Sequence, residues 1–384
     1  MDDKNLIIHN KTDKPDNVVE RENQVLELCE ELQSQLPSWM RGYFLFLRNS
    51  VLPMTRLAYL GDVKFFCNYL IHETDLTRAE DPKAIKLEEF QQIQAVDINL
   101  FLDYSRRYKV EDEKGVTVYE NRNSALSRKK SSFSVLFKYL YRDGLVPKNI
   151  TDGFDPIKLS KPGEREIKAL KEDEVMKMLD AVTTGEGLTK KELENWKKTK
   201  LRDKLILLTF VTYGLRLSEL QQLNVSSFNF ERGEFKIYRK RGKESLMPIN
   251  RTITDAFSEY VQLERPSDDR LSDENKDALF LSQKGTRLTD RQLREIVKKY
   301  TSISLGTSRK KGYSPHKLRA TAATSLIARG NDIFDVQQLL DHDNVTTTQL
   351  YAGHRLNSKR DLIKGFEWDE DMLDGSDVSD PGHL

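Results

Sequence analysis

The chain has 384 residues, with 62 Lys and Arg against 61 Asp and Glu and a net charge of +1, a length that calls for two or three domains. No window approaches the roughly 18 apolar residues of a membrane span, and the acidic opening "MDDKNLIIHNKTDKPDN" does not read as a signal peptide. Cys29 and Cys67 are the only cysteines, too few for a disulfide framework or a zinc site, and they fit a reducing cytoplasm.

Residues 1–20 read as a flexible polar arm. "NVVERENQVLELCEELQSQL" then places Val25, Leu28, Leu32 and Leu36 on one face of a first helix, closed by Pro37. "SWMRGYFLFLRNS" predicts a second helix ending before Pro53, and "MTRLAYLGDVKFFCNYLIHE" a third. "AVDINLFLDYSRRYKV" gives a fourth, with Asp97 as its N-cap. A short hairpin in "VEDEKGVTVYENR" precedes a fifth helix, "SALSRKKSSFSVLFKYLYRDGL". Residues 21–154 are therefore expected to form an all-helical domain. The Pro- and Gly-containing stretch at 155–168 reads as a linker.

Residues 169–365 predict a second, mainly helical domain. Its helices include "KEDEVMKMLDAVTT" and an apolar run, "LRDKLILLTFVTYGLRLSELQQL", read as one continuous helix. "FNFERGEFKIYRKRGKESLMPIN" alternates about Arg232-Gly233 and Arg241-Gly242, which predicts three short antiparallel strands. The tail at 366–384 carries seven acids and no Lys or Arg. Removing those charges from the total of +1 leaves the first 365 residues at +8, so a basic body is masked by an acidic tail expected to be solvated.

Several polar residues stand out in the second domain. Arg216 falls within the apolar run, where a charge needs a partner, and Glu219 is three residues away on the same helical face. That pair alone reads equally well as a surface ion pair. In "SPHKLRATAATSL", His316 and Arg319 lie near a helix start at Ser314-Pro315, where free N–H groups favour an anion. Lys240 and Lys243 mark a hairpin tip that is either merely solvated or shaped to enter a DNA groove. "LLDHDNVTTTQLYAGH" presents His342 and, nine residues later, Tyr351.

Taken in order, Arg216, Lys240, His316, Arg319, His342 and Tyr351 resemble the tyrosine recombinase (phage integrase) family, most nearly its Xer-type site-specific recombinases. Lys240 follows Arg216 by 24 residues and His342 follows Arg319 by 23. The resemblance implies a mainly α fold: a helical, SAM-like core-binding domain, then a mixed catalytic domain with a small antiparallel three-stranded sheet. Two departures are visible. Asp341 stands where many members have Gly, and Ala320 where His is frequent. The first could alter the electrostatics beside His342.

The same resemblance implies the chemistry. A phenol with a pKa of about 10 is a poor nucleophile until its proton is removed and the phosphate is neutralised. Arg216 and Arg319 would donate to non-bridging phosphate oxygens. Lys240, or else Lys243, would protonate the departing 5′ oxygen; His316 would accept the phenolic proton, and His342 would buttress the phosphate. Glu219 would orient Arg216 from behind. Tyr351 would form a 3′-phosphotyrosyl link, with strands exchanged through a Holliday junction, and no metal or other cofactor is called for. The implied partners are double-stranded DNA with inverted half-sites, a homotetramer across two sites and a regulatory partner at the C-terminal tail. Arg128, Lys129 and Lys130, at the start of the fifth helix, are the expected phosphate contacts of the first domain. The helix expected in "NSKRDLIKGF" would dock on a neighbouring subunit. The biological roles implied are chromosome dimer resolution or integration and excision of a mobile element. A type IB topoisomerase-like relaxing enzyme and a non-catalytic DNA-binding regulator on the same fold are the competing readings.

Overall fold

The computed structural model describes residues 14–113, 115–159, 168–239 and 242–341. The start of the arm, most of the linker, Lys240, His342, Tyr351, the helix expected after it and the acidic tail lie outside the described residues. The chain divides after residue 160 into two compact units.

The first unit contains α1 (Asp16–Ser34), α2 (Arg41–Ser50), α3 (Pro53–Glu73), α4 (Leu87–Gln91), α5 (Ala95–Arg106) and α6 (Asn123–Arg142). Pro53 opens α3 at a position whose N–H has no helical partner, so its missing donor is harmless. In α6, Leu126, Phe133, Leu136, Phe137 and Leu140 recur at helical spacing and are all buried. Their centre is a trio of rings, Phe66, Phe101 and Phe133, meeting edge to face at 5.0–5.2 Å between centroids. The expected hairpin is present as β1 (Arg107–Asp112) and β2 (Gly115–Glu120), paired antiparallel from Arg107 and Glu120 at its base.

The second unit comprises α7 (Glu172–Thr184), α8 (Lys190–Trp196), α9 (Lys200–Tyr213), α10 (Leu217–Gln221), α11 (Arg251–Leu263), α12 (Asp290–Ser304), α13 (Pro315–Ala328) and α14 (Ile333–Leu340). Helix α9 is its axis: Leu205, Ile206, Leu207, Leu208 and Phe210 are buried, and it packs on α7, α11 and α13. The sheet is antiparallel in the order β3 (Phe228–Asn229), β4 (Glu234–Tyr238), β5 (Glu244–Pro248). Strand β4 turns Phe235 and Ile237 inward at the two-residue period of a pleated strand. A mainly helical protein with one small three-stranded sheet is thus what the sequence predicts.

Three element boundaries differ from expectation. Helix α1 already begins at Asp16, inside the stretch expected to be a flexible arm, because Val18 and Val19 are buried. The cap of helix α5 is Gln94, three residues before the expected Asp97. Asp97 sits inside its first turn, where its carboxylate accepts the Gln94 N–H at 2.7 Å. The run expected to be one helix is broken: α9 stops at Tyr213, Gly214 caps it with φ +59°, and α10 restarts after Arg216. That break builds the site.

Candidate active site

Gly214 terminates α9 in the left-handed region that glycine adopts without a Cβ clash. A Cβ there would also meet Leu340 Cδ2 at 2.6 Å and Ala322 Cβ at 3.2 Å. Gly214→Ala is therefore expected to destabilise the unit by about 2–4 kcal/mol, from φ strain plus overpacking. Thermal unfolding checks this, and a loss below about 1 kcal/mol contradicts it.

Arg216 is the N-cap of α10, not a mid-helix residue, with extended backbone at φ −68° and ψ 150°. Glu219, at the third position of that helix, is 2 % exposed. One of its oxygens accepts the Arg216 backbone N–H at 2.8 Å and the other the Arg216 Nη1 at 2.7 Å. A buried carboxylate thus fixes both the turn and the guanidinium, while the Arg216 side chain keeps 31 % of its surface open.

Helix α13 starts as expected, with Ser314 as N-cap and Pro315 as its first residue. Arg319 is buried, and its Nη1 donates to the Gly214 carbonyl at 2.7 Å. Its Nη2 donates to the Leu340 carbonyl. His316 is exposed, yet partial loss of hydration first, and the Arg319 charge second, lower its imidazole pKa from the usual histidine value. That direction favours the neutral imidazole, the form able to take a proton.

The convergence point is the C-terminal end of α14. A helix leaves its last carbonyls without intrahelical donors, and their partial negative charge favours cations. Asp341 caps α14 in the left-handed region at φ 50°, and its N–H serves Gln337 and Gln338. The next three carbonyls each take one guanidinium. Arg239 Nη2 donates to Leu339 at 2.8 Å, Arg319 Nη2 to Leu340, and Arg216 Nη2 to Asp341 at 2.7 Å. Asp341 is the single non-glycine residue with positive φ among the described residues. Its carboxylate lies 3.4 Å from Arg216 Nη1 and 4.0 Å from Arg239 Nη1.

Arg216, Glu219 and Arg319 are therefore gathered around one helix end, and His316 lies one turn before Arg319 on α13. Lys240, His342 and Tyr351 lie outside the described residues, although Arg239 and Asp341 adjoin two of them in sequence. Lys243 is exposed just before β5. Arg239 was not foreseen. The sequence held a signal for it: Phe235, Ile237 and Arg239 share the inward phase of β4, and an arginine in an apolar phase needs a built partner. Burial is the main influence lowering the pKa of Arg239. Glu219 and Asp341 oppose it, and a guanidinium stays charged regardless.

The basic run of α6 requires a correction. Lys129 is buried, with its ammonium 2.9 Å from Asp62 Oδ1 and 4.7 Å from the centre of the Phe65 ring. Arg128 chelates the same carboxylate at 2.5 and 2.9 Å but keeps nearly half its side chain in solvent. Lys130 donates to the Phe154 and Asp155 carbonyls at 3.2 and 2.8 Å. An unengaged phosphate-binding row is not what the structure presents, because Asp62 is buried and a buried carboxylate must be paired.

The profile of the phage integrase family matches residues 168–357. The chain is 30 % identical over 312 residues to tyrosine recombinase XerC of Natranaerobius thermophilus, covering 80 % of this chain and 94 % of that one. It is 29 % identical over 277 residues to tyrosine recombinase XerC of Shewanella oneidensis, 69 % of this chain and 87 % of that one. A XerH site-specific recombinase, bound to palindromic difH substrate in a post-cleavage complex, shares the fold. Its TM-score is 0.57 at 19 % identity, covering 93 % of this chain and 91 % of that one.

Proposed function

The chain belongs to the phage integrase family as a tyrosine recombinase, and on that premise we propose the reaction and the residues that carry it. It is a site-specific recombinase acting on double-stranded DNA with inverted half-sites. The observation that carries the reading is the meeting of Arg216 and Arg319 on adjacent carbonyls, Asp341 and Leu340, at the end of α14.

Two guanidinium forks held by buried carboxylate and carbonyl groups are pre-set before substrate arrives. Their value rises as the phosphorane-like transition state gathers negative charge, so they speed the reaction and do more than bind. Glu219 holds Arg216 in register. His316 accepts the phenolic proton of Tyr351 as its oxygen attacks phosphorus. The 5′ oxygen leaves with a proton from Lys240, and His342 donates to a non-bridging oxygen. The bond energy is kept in the phosphotyrosyl ester, so a 5′ hydroxyl from the same or another duplex reverses the step without ATP.

Arg128 and Lys243, both reaching solvent, are the proposed phosphate contacts outside this centre. A homotetramer across two sites, exchange through a Holliday junction and a regulatory partner at the acidic tail belong to the same proposal. So does a cytoplasmic setting; among the described residues no helix is long and apolar enough to cross a membrane. The XerC relatives favour an Xer-like role, resolving chromosome dimers, with integration and excision of a mobile element as the second role.

DNA selected by the chain from a random pool, then nicked within the recovered site, tests the class of reaction. The expected result is a denaturant-resistant protein–DNA adduct, lost in Tyr351→Phe, together with four-way junctions when two sites are present. A mobility shift without an adduct would mark a DNA-binding regulator. An adduct with relaxation of supercoils and no junctions would mark a relaxing enzyme.

A further inference from the structure

Neither Arg239 nor a carboxylate at position 341 has a part in the reaction just described, yet the two meet at its centre. Asp341 Oδ2 stands between two guanidiniums, 3.4 Å from Arg216 and 4.0 Å from Arg239. The backbone at 341 adopts φ 50°, which Gly, Asn and Asp can each take, so the turn does not by itself require a carboxylate. The carboxylate has an electrostatic consequence. With Arg216, Arg239 and Arg319 set against Glu219 and Asp341, the cluster carries one net positive charge. Without Arg239 it would be neutral, and of the two guanidiniums beside the Asp341 carboxylate only Arg216 would remain.

A phosphodiester brings one negative charge and its transition state more, so a neutral cluster would give up the attraction the reaction depends on. The two arginines are also placed differently. The Arg239 side chain is 3 % exposed and tied to the Leu339 carbonyl, whereas that of Arg216 is 31 % exposed. One is turned into the protein; the other faces where an anion can arrive.

We propose that Arg239 is a positioning residue for strand cleavage, offsetting the Asp341 carboxylate so that Arg216 remains available to the scissile phosphate. The inference rests on Arg216 being a phosphate ligand, as in the reaction proposed above. It makes Arg239 and Asp341 a matched pair: loss of the cation is harmful only while the anion is present.

The test uses the full chain on the nicked duplex, measuring the rate of adduct formation and, separately, DNA affinity. Arg239→Met keeps bulk without charge and is expected to slow adduct formation by about tenfold or more, with affinity changed by less than about threefold. Asp341→Asn keeps a residue that tolerates positive φ. Set in the Arg239→Met chain, it is expected to return the rate to within about threefold of that of Asp341→Asn alone. Arg239→Lys, which keeps the charge, covers the case in which the methionine variant does not fold. It is expected to retain cleavage within about tenfold, because the offset needs a cation there and not a planar fork. A double variant as slow as Arg239→Met, an Arg239→Met chain at full rate, or an Arg239→Lys chain slowed beyond that and not rescued by Asp341→Asn would overturn the proposal. An unmodified chain that forms no adduct overturns the reaction itself. An adduct whose rate ignores the pair overturns this inference alone.

Discussion

Arg216→Ala is expected to slow adduct formation by about 100- to 1,000-fold or more, the usual loss when one preorganised donor to a developing oxyanion is removed. The substitution takes away the Nη1 and Nη2 donors that Glu219 and the Asp341 carbonyl now hold at 2.7 Å each. It also leaves Glu219, 2 % exposed, without its cation. DNA affinity is expected to fall far less, by under about tenfold, since many other phosphate contacts share the binding. Arg216→Lys separates chemistry from folding. A lysine keeps a charge near Glu219 but cannot donate in a planar fork to carboxylate, carbonyl and phosphate together, so it is expected to fold and still cleave slowly. Single-turnover trapping at saturating DNA measures this. Cleavage by Arg216→Ala within about tenfold of the unmodified rate would remove Arg216 from the role given to it.

The largest stability effect is expected at Asp203, remote from the chemistry. Its carboxylate is fully buried and accepts from Arg202 at 2.7 and 3.1 Å, from Lys299 Nζ at 3.1 Å and from the Tyr300 hydroxyl at 3.2 Å. This cluster ties α9 to α12, and Arg202 also donates to the Leu281 carbonyl at 2.7 Å. Burial and the neighbouring Asp203 charge both raise the Tyr300 pKa, so its hydroxyl remains a donor. Asp203→Ala strands two cations in or near the interior, which typically costs about 3–5 kcal/mol, or roughly 10–15 °C in Tm for a unit of this size. Thermal unfolding of the full chain reads it. A Tm within about 3 °C of the unmodified protein would show that the network contributes little.

How much of this was legible in the sequence depends on the range of the interaction. Helices α3, α5 and α6 carry their apolar residues at helical spacing and were readable, as was the alternation that makes β3 to β5. The helices α4 and α8, of five and seven residues, are mostly polar and too short to show such a period. In α1 the buried face runs through Val18, Val19 and Cys29, while Leu28, expected inward, is 48 % exposed. One residue is about 100° of helical rotation, which separates exposed Leu28 from buried Cys29. The break at Gly214 was hidden because glycine inside an apolar run is compatible with a helix, and only its positive φ ends one.

The site shows the same division. Arg216 with Glu219, and His316 with Arg319, are local spacings of three and could be read directly. Arg239 with Asp341, and Arg319 with Gly214, join residues about 100 apart in sequence. Only the folded chain brings them together. The basic run at 128–130 misled for a related reason. Its partner Asp62 lies on α3, and nothing near the run announces that a buried carboxylate faces it.

In the proposed reaction the hydroxyl of Tyr351 becomes esterified to the 3′ end of a cut strand. Protease digestion of the trapped adduct, followed by mass spectrometry of the nucleotide-bearing peptide, reads the attachment point directly. The account predicts a nucleotide 3′-phosphate on Tyr351, and a free 5′ hydroxyl on the released strand. Attachment at any other side chain, or a 5′-phosphate linkage, would contradict it.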